Sequence, residues 1–210
     1  MPIRSHGKYT RAYPLVSAIS LFPVAAVARS LEDSIQRFYQ LTHDRLLKAS
    51  GDTSPEQFAR SVGLSLHSVA WQLWHAARWD DFFAAHLQND FGGDPSGQVW
   101  DRDDLARRWG LVAGTMGRRD AGTGMDDSAA DQMRFPEQSE VIGYARDAFA
   151  FARSAIAAIP SDQLTAVAKD DAHGDTYLDN ILIYYEHLNR HLGMIEAIRG
   201  LLSLSGSATR

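Results

Sequence analysis

From Tyr177 to Leu204 the chain keeps an apolar stripe at alternating steps of four and three residues: Tyr177, Ile181, Tyr184, Leu188, His191, Ile195, Ile198 and Leu202. That spacing describes one face of a long helix pressed against a core. Every member of the stripe is an ordinary core residue except His191. His187 lies one turn earlier, on the adjoining flank. Residues at i and i+4 of a helix are ~40° apart around the axis and ~6 Å apart along it, so two imidazoles placed this way can converge on one ion. The remainder of the chain then has to supply a third ligand and a cavity.

Three further helical stripes are present. Pro23 suits a first helical turn, and Val24, Val27, Leu31, Ile35, Phe38 and Leu41 follow at helical spacing, to a stop near Ala49 and Gly51. Ser54 and Pro55 open a short helix as its cap and first residue. A second long helix, about Ser65 to Leu87, is apolar nearly all round, with Val69, Trp71, Leu73, Trp74, Trp79, Phe82 and Phe83, as expected of a helix buried on several sides. Pro136 and Pro160 bound a third, about Ser139 to Ile159. Its stripe of Ile142, Ala145, Phe149, Ala152 and Ile156 is rich enough in alanine for close approach to a neighbour. A short turn is expected at Ser161–Leu164. No strand pattern stands out. The expected fold class is all-α, a four-helix bundle over residues 23–204, after an N-terminal arm (1–22) and before a frayed tail (205–210). Residues 89–137, punctuated by glycine, form a connection far longer than usual, a long crossover insertion between the second and third long helices. A short helix is expected in it at Asp101–Trp109, capped by Asp101. No Gly-Lys-Ser/Thr follows its glycines, so it is not a phosphate loop.

Composition narrows the function. The chain has 210 residues, 45% of them apolar, which is enough for one domain with a real core. A net charge of -5 without a basic stripe speaks against nucleic acid as a partner. There is no cysteine, so disulfides, a catalytic thiol and Cys-based metal sites are excluded, and thiol chemistry needs a thiol from outside. The segment from Arg4 to Ala28 has the order of a secretory signal, but Pro23, Ser17 and Ser20 interrupt its apolar run. The expectation is an ordered arm, no membrane span and a cytoplasmic location.

His75 supplies the third imidazole. It shares a stripe with Ser68, Trp71, Arg78 and Phe82, so it points inward among large apolar groups. A single inward histidine is more often a core residue bonded to a carbonyl. Three of them carry a large desolvation cost, and one metal ion partners all three. Three neutral imidazoles suit zinc, nickel, copper or iron(II) and leave a coordination position open. The ion keeps its full charge and so favours hydroxide, carboxylate or thiolate there. The run His187-Leu188-Asn189-Arg190-His191 lacks the glutamate of the zinc-protease motif, and di-iron bundles need Glu-x-x-His pairs that are absent here. Tyr184, one turn before His187, is expected to line the pocket. Asp80 and Tyr184 are the candidates for acid/base work, with Asp81, Glu186 and Glu196 as further acceptors behind the ligands. His67 reads as a helix-end or supporting residue, ~12 Å from His75 along the axis, and His86 lies farther along the same face. His6, His43 and His173 read as solvated, and at least two of Trp71, Trp74 and Trp79 as plain core.

The run from Ser68 to Asp81, with Trp74-His75-Ala76-Ala77-Arg78-Trp79 at its centre, followed far downstream by His187-Leu188-Asn189-Arg190-His191-Leu192-Gly193, resembles the DinB-like superfamily. That superfamily includes the damage-inducible DinB/YfiT proteins and the mycothiol-dependent maleylpyruvate isomerases. The resemblance spans about residues 27–204. It implies an up-down-down-up bundle, a three-ligand site for zinc or nickel, and frequent homodimers. It also implies thiol S-transfer or isomerisation with bacillithiol, mycothiol or glutathione. The isomerase branch carries Glu where this chain has His187, which sets the chain apart from that branch. Three readings follow: a metal-dependent enzyme activating a small thiol or water toward an electrophilic substrate, a metal- or ligand-binding stress protein without turnover, and a helical dimer whose inward histidines only bond to backbone.

Overall fold

The computed structural model describes residues 28–63, 66–92, 97–169 and 171–206. Eight α-helices lie within them: α1 (Leu31–Gly51), α2 (Pro55–Ala59), α3 (Val69–Phe91), α4 (Val99–Arg102), α5 (Leu105–Arg108), α6 (Asp127–Gln132), α7 (Gln138–Ala157) and α8 (Tyr177–Leu201). Among the described residues there is no strand beyond two isolated bridges, Arg118 with Thr123 and Val167 with Thr176. No described helix is long and apolar enough to cross a membrane. The four long helices carry the core. α3 packs on α7 and α8, and α1 packs on the same two.

Local chemistry explains the ends. Ser30, Ser54, Ser68 and Thr176 each accept a backbone N–H of the first turn, at α1, α2, α3 and α8. The expected start of the first helix near Pro23, like the arm 1–22, lies outside the described residues, but residues 28–30 are not helical and Ser30 is the cap. α3 starts at Val69 rather than Ser65, because His67 sits in the left-handed region at φ 58° and cannot continue a helix. The single short helix expected at Asp101–Trp109 is two, broken where Asp104 adopts φ 51°; Asp101 lies inside α4 and does not cap. The stripe of α8 is buried at Tyr177, Ile181, Leu188, His191, Ile195 and Ile198. Ala145, Ala148 and Ala152 of α7 are fully buried, which is the close approach their small size allows.

His43 is not solvated. It follows Tyr39 by one turn on the buried face of α1 and is wholly enclosed. Its ring stacks on Phe149 at 4.1 Å. Arg153 Nη1 lies 2.9 Å from Nδ1, and Nε2 lies 2.8 Å from Asp80 Oδ2. A guanidinium only donates, so Nδ1 accepts and the ring proton sits on Nε2, donated to Asp80. Burial raises the Asp80 carboxyl; the hydrogen bond from His43 and the charge of Arg153 oppose that rise. One polar chain thus ties α1, α3 and α7 together.

Removing His43 alone leaves a buried carboxylate with no donor. His43→Leu is expected to cost ~3–5 kcal/mol in urea unfolding, and adding Asp80→Leu to recover much of it. An additive double mutant would show the two side chains to be uncoupled.

Candidate metal centre

α3 and α8 pack against each other and bring His75 to His187 and His191. The approach is through one atom of each ring. His187 Nε2 lies 3.2 Å from His75 Nε2 and 3.0 Å from His191 Nε2, and the potential ligand atoms of the three all fall within 4.8 Å of one another.

The far sides of two rings are tied. His75 Nδ1 makes a very short hydrogen bond to the Ala121 carbonyl, which only accepts, so Nδ1 carries the proton. His191 Nδ1 lies 2.5 Å from Gln72 Oε1, and the Gln72 amide is oriented by its own donation to the Leu66 carbonyl at 2.7 Å. His191 is therefore protonated on Nδ1 as well. Both Nε2 atoms hold lone pairs aimed at His187, whose buried Nδ1 has no hydrogen-bond partner among the described residues. One Nε2–H from His187 can satisfy only one of its two neighbours. A tetrahedral ion with N ligands at ~2.0–2.1 Å places those ligands ~3.3 Å apart, close to the separations seen, and takes all three lone pairs. The donor set and its outer partners fit a divalent cation.

Desolvation keeps these rings neutral. Burial lowers His75 to about 3, with the charge of His187 adding to it and the Ala121 carbonyl opposing it. Burial and then Arg190 lower His187 to about 4. His191 is held well below the usual range, by burial first and then by His75 and His187. At neutral pH all three offer lone pairs.

The turn that carries Ala121 was not legible as part of the site. It is locked from below by Arg78, which is fully buried. Arg78 Nε donates to the Asp120 carbonyl at 3.0 Å, Nη2 to the Arg119 carbonyl at 3.1 Å and Nη1 to Gln98 Oε1 at 2.9 Å, with Asp81 Oδ2 at 3.4 Å. Arg119 and Asp120 both sit at positive φ, 59° and 49°, and the Asp120 carboxylate accepts the N–H groups of Gly114 and Met116. Gly122, at φ 90°, lies so close that a Cβ there meets Trp71 at 2.7 Å and His75 Nδ1 at 2.8 Å. The glycine punctuation was the available signal; this glycine lets backbone rest on the His75 ring.

A cavity of about 730 Å³ opens over the three histidines. Trp71, stacked on His75 at 4.7 Å, forms one wall with Trp79 and Tyr184. Asp127, Glu186 and Arg190 line it farther out, as does exposed His173. Trp71 and Trp74 are buried, while Trp79 is half-buried. Tyr184 stacks on Phe83 at 4.0 Å, and burial raises its hydroxyl. Asp80 does not line the cavity; it belongs to the His43 chain. Asp81 accepts the Val99 and Trp100 N–H groups and the Tyr144 hydroxyl, and so anchors α4. Glu196 lies against Arg199. His67 closes one edge, bonded to Asp131 at 3.0 Å and tilted on Trp71 at 4.4 Å. His86 stands 3.9 Å from Asp90, away from the three.

No protein of curated function matches the sequence. Among solved structures, the chain is similar to a conserved protein from Enterococcus faecalis, with a TM-score of 0.69 at 16% identity, covering 84% of this chain and 99% of that one. That likeness concerns the fold. The sequence pattern of the DinB superfamily matches residues 37–195, the span that holds all three histidines, the Gln72 and Ala121 ties and all four long helices in whole or part. The chain belongs to the DinB superfamily.

Proposed function

We propose that His75, His187 and His191 hold a divalent ion, zinc or nickel, and that the protein is a metal-dependent S-transferase using an external low-molecular-weight thiol. The observation that carries this reading is the meeting of three Nε2 atoms at the floor of an open cavity. A bound divalent ion there supplies the positive charge that lowers the pKa of a thiol or water. The chain does the rest. Ala121 and Gln72 hold two imidazoles in the tautomer that presents Nε2. Trp71 covers one side of His75 and keeps water from it. Tyr184 retains its proton at neutral pH and can donate it to the leaving atom of an electrophile. The chain has no cysteine, so bacillithiol, mycothiol or glutathione would bring the sulfur. In the same reading the long helices form the up-down-down-up four-helix bundle of the superfamily, residues 89–137 are its crossover, and two copies pair as a homodimer in the cytoplasm.

One observation favours a second reading, a metal- or ligand-binding protein without turnover. Asp80 and Asp81, the buried carboxylates nearest His75 in the chain, are engaged elsewhere and leave the cavity without a buried carboxylate base.

Elemental analysis of the purified protein is expected to show about one ion per chain. His191→Ala should lose it. Gly122→Ala, which presses on His75, should weaken ion binding by ~10–100-fold. Unchanged metal content in His191→Ala would remove the site. Each of the three thiols, offered with a panel of electrophiles to the loaded protein, then separates the readings: conjugate formed with one of them, and lost in His191→Ala, supports the transferase, and silence with all favours the second.

A further inference from the structure

A second cavity, of about 560 Å³, adjoins the first, and Asp171, Asn180 and Tyr184 line both. Its charge is the reverse of its neighbour's. The histidine cavity carries Asp127, Asp175 and Glu186, and its Arg190 is already bonded to Glu186. The second is lined by Arg118, Arg119 and Lys169. Among the described residues, neither the Arg118 nor the Arg119 guanidinium forms a hydrogen bond or ion pair. Arg119 is held with its guanidinium 4.0 Å over the Phe82 ring, a contact that orients the group and leaves its N–H donors open. Lys169 is partly committed, donating to the Asp90 carbonyl at 2.8 Å, and serves mainly as charge. The opposing carboxylates are both occupied. Asp171 accepts the N–H groups of His173 and Asp175, and Asp101 accepts from Gln98. His86, the remaining titratable group here, faces Asp90.

Position matters as much as charge. Arg118 and Arg119 belong to the turn that Arg78 and Asp120 lock and that presents the Ala121 carbonyl to His75. One rigid turn therefore orients a ligand ring on one side and offers two guanidinium forks on the other. Tyr184 stands at the junction, and Arg119 and Arg118 are near enough to its hydroxyl to oppose the rise that burial and Asp80 produce. Guanidinium forks match the paired oxygens of carboxylate and phosphate.

We propose that the second cavity is an anion subsite, in which Arg118 and Arg119 bind the carboxylate or phosphate end of the small molecule whose other end reaches the three histidines. The inference rests on the metal-site reading above for the second half of that statement and on the second cavity alone for the first. It assigns a substrate class: a molecule with a metal-seeking head and an anionic tail, the head drawn to the histidine floor and the tail repelled by the acidic rim.

The test uses the full chain loaded with cobalt(II), whose thiolate charge-transfer band reports sulfur binding. It is titrated with ω-mercaptoalkanoates of increasing length, their phosphonate counterparts, and mercaptoalcohols of equal length. At the length that spans the two cavities, the anionic thiol should bind roughly tenfold tighter than the alcohol. That preference should vanish in the Arg118→Ala/Arg119→Ala variant while alcohol binding stays the same, and the stronger of the two anionic series identifies the chemistry of the anionic tail. In parallel, the metal-free chain is titrated with hexanoate and with hexylphosphonate, and the Nε–H resonances of Arg118 and Arg119 are followed by NMR. Shifts there with no cobalt band for any thiol uphold the subsite and sink the metal-thiol reading. Equal affinity for charged and neutral thiols with silent arginine resonances, or a charge preference that survives the double substitution, overturns the subsite.

Discussion

Everything in this chain that bears on chemistry depends on the packing of α3 against α8 with three imidazoles between them. Apolar side chains alone would make that contact cheaper. Burying three rings that ordinarily titrate just below neutral pH penalises their charged form, and burial accordingly lowers His75 to about 3 and His187 to about 4. The same desolvation that disfavours a proton leaves lone pairs unspent. A site that disfavours protons and brings three Nε2 atoms to one spot is what the proposed divalent cation requires.

Around that spot the protein spends its irregular backbone. Arg78, buried on α3, reaches across to two carbonyls at left-handed positions and fixes the turn that rests on His75. Strained residues persist where surrounding contacts over-determine them. Here the surrounding contacts are four donors: Arg78 Nε and Nη2 and the N–H groups of Gly114 and Met116. The long connection between the second and third long helices is thus tied to the ligand set, and on its outer side it carries the arginines of the second cavity. The His43–Asp80–Arg153 chain serves the scaffold instead, joining α1, α3 and α7 at a distance from the cavity lining.

Much of this was legible in the sequence. The stripes of α3 and α8 placed His75, His187 and His191 inward because helical periodicity reports facing directly, and the structure brings the three together. The capping residues Ser54 and Pro55 were readable for the same local reason. The supports were not readable. Ala121 acts through its carbonyl, which every residue possesses, so its type carries no signal. Gln72 is a polar residue on a crowded helix, and only the arrival of α8 gives its amide oxygen a partner. His43 was misread because Thr42 and Asp44 flank it and suggest a wet face, although its spacing from Tyr39 and Leu46 marked it as buried. Asp80 has its partner on another helix, and no local pattern announces a pair 37 residues apart.

The Ala121 and Gln72 ties set the tautomers of His75 and His191 before any ion arrives. Long-range proton–nitrogen NMR of the metal-free protein, with nitrogen-15 in its histidines, reads this directly. We expect neutral His75 and His191 at neutral pH, each protonated on Nδ1, and a joint shift of all three Nε2 resonances as zinc is added to one equivalent. Finding the proton of either ring on Nε2, or Nε2 resonances that ignore zinc, would contradict it.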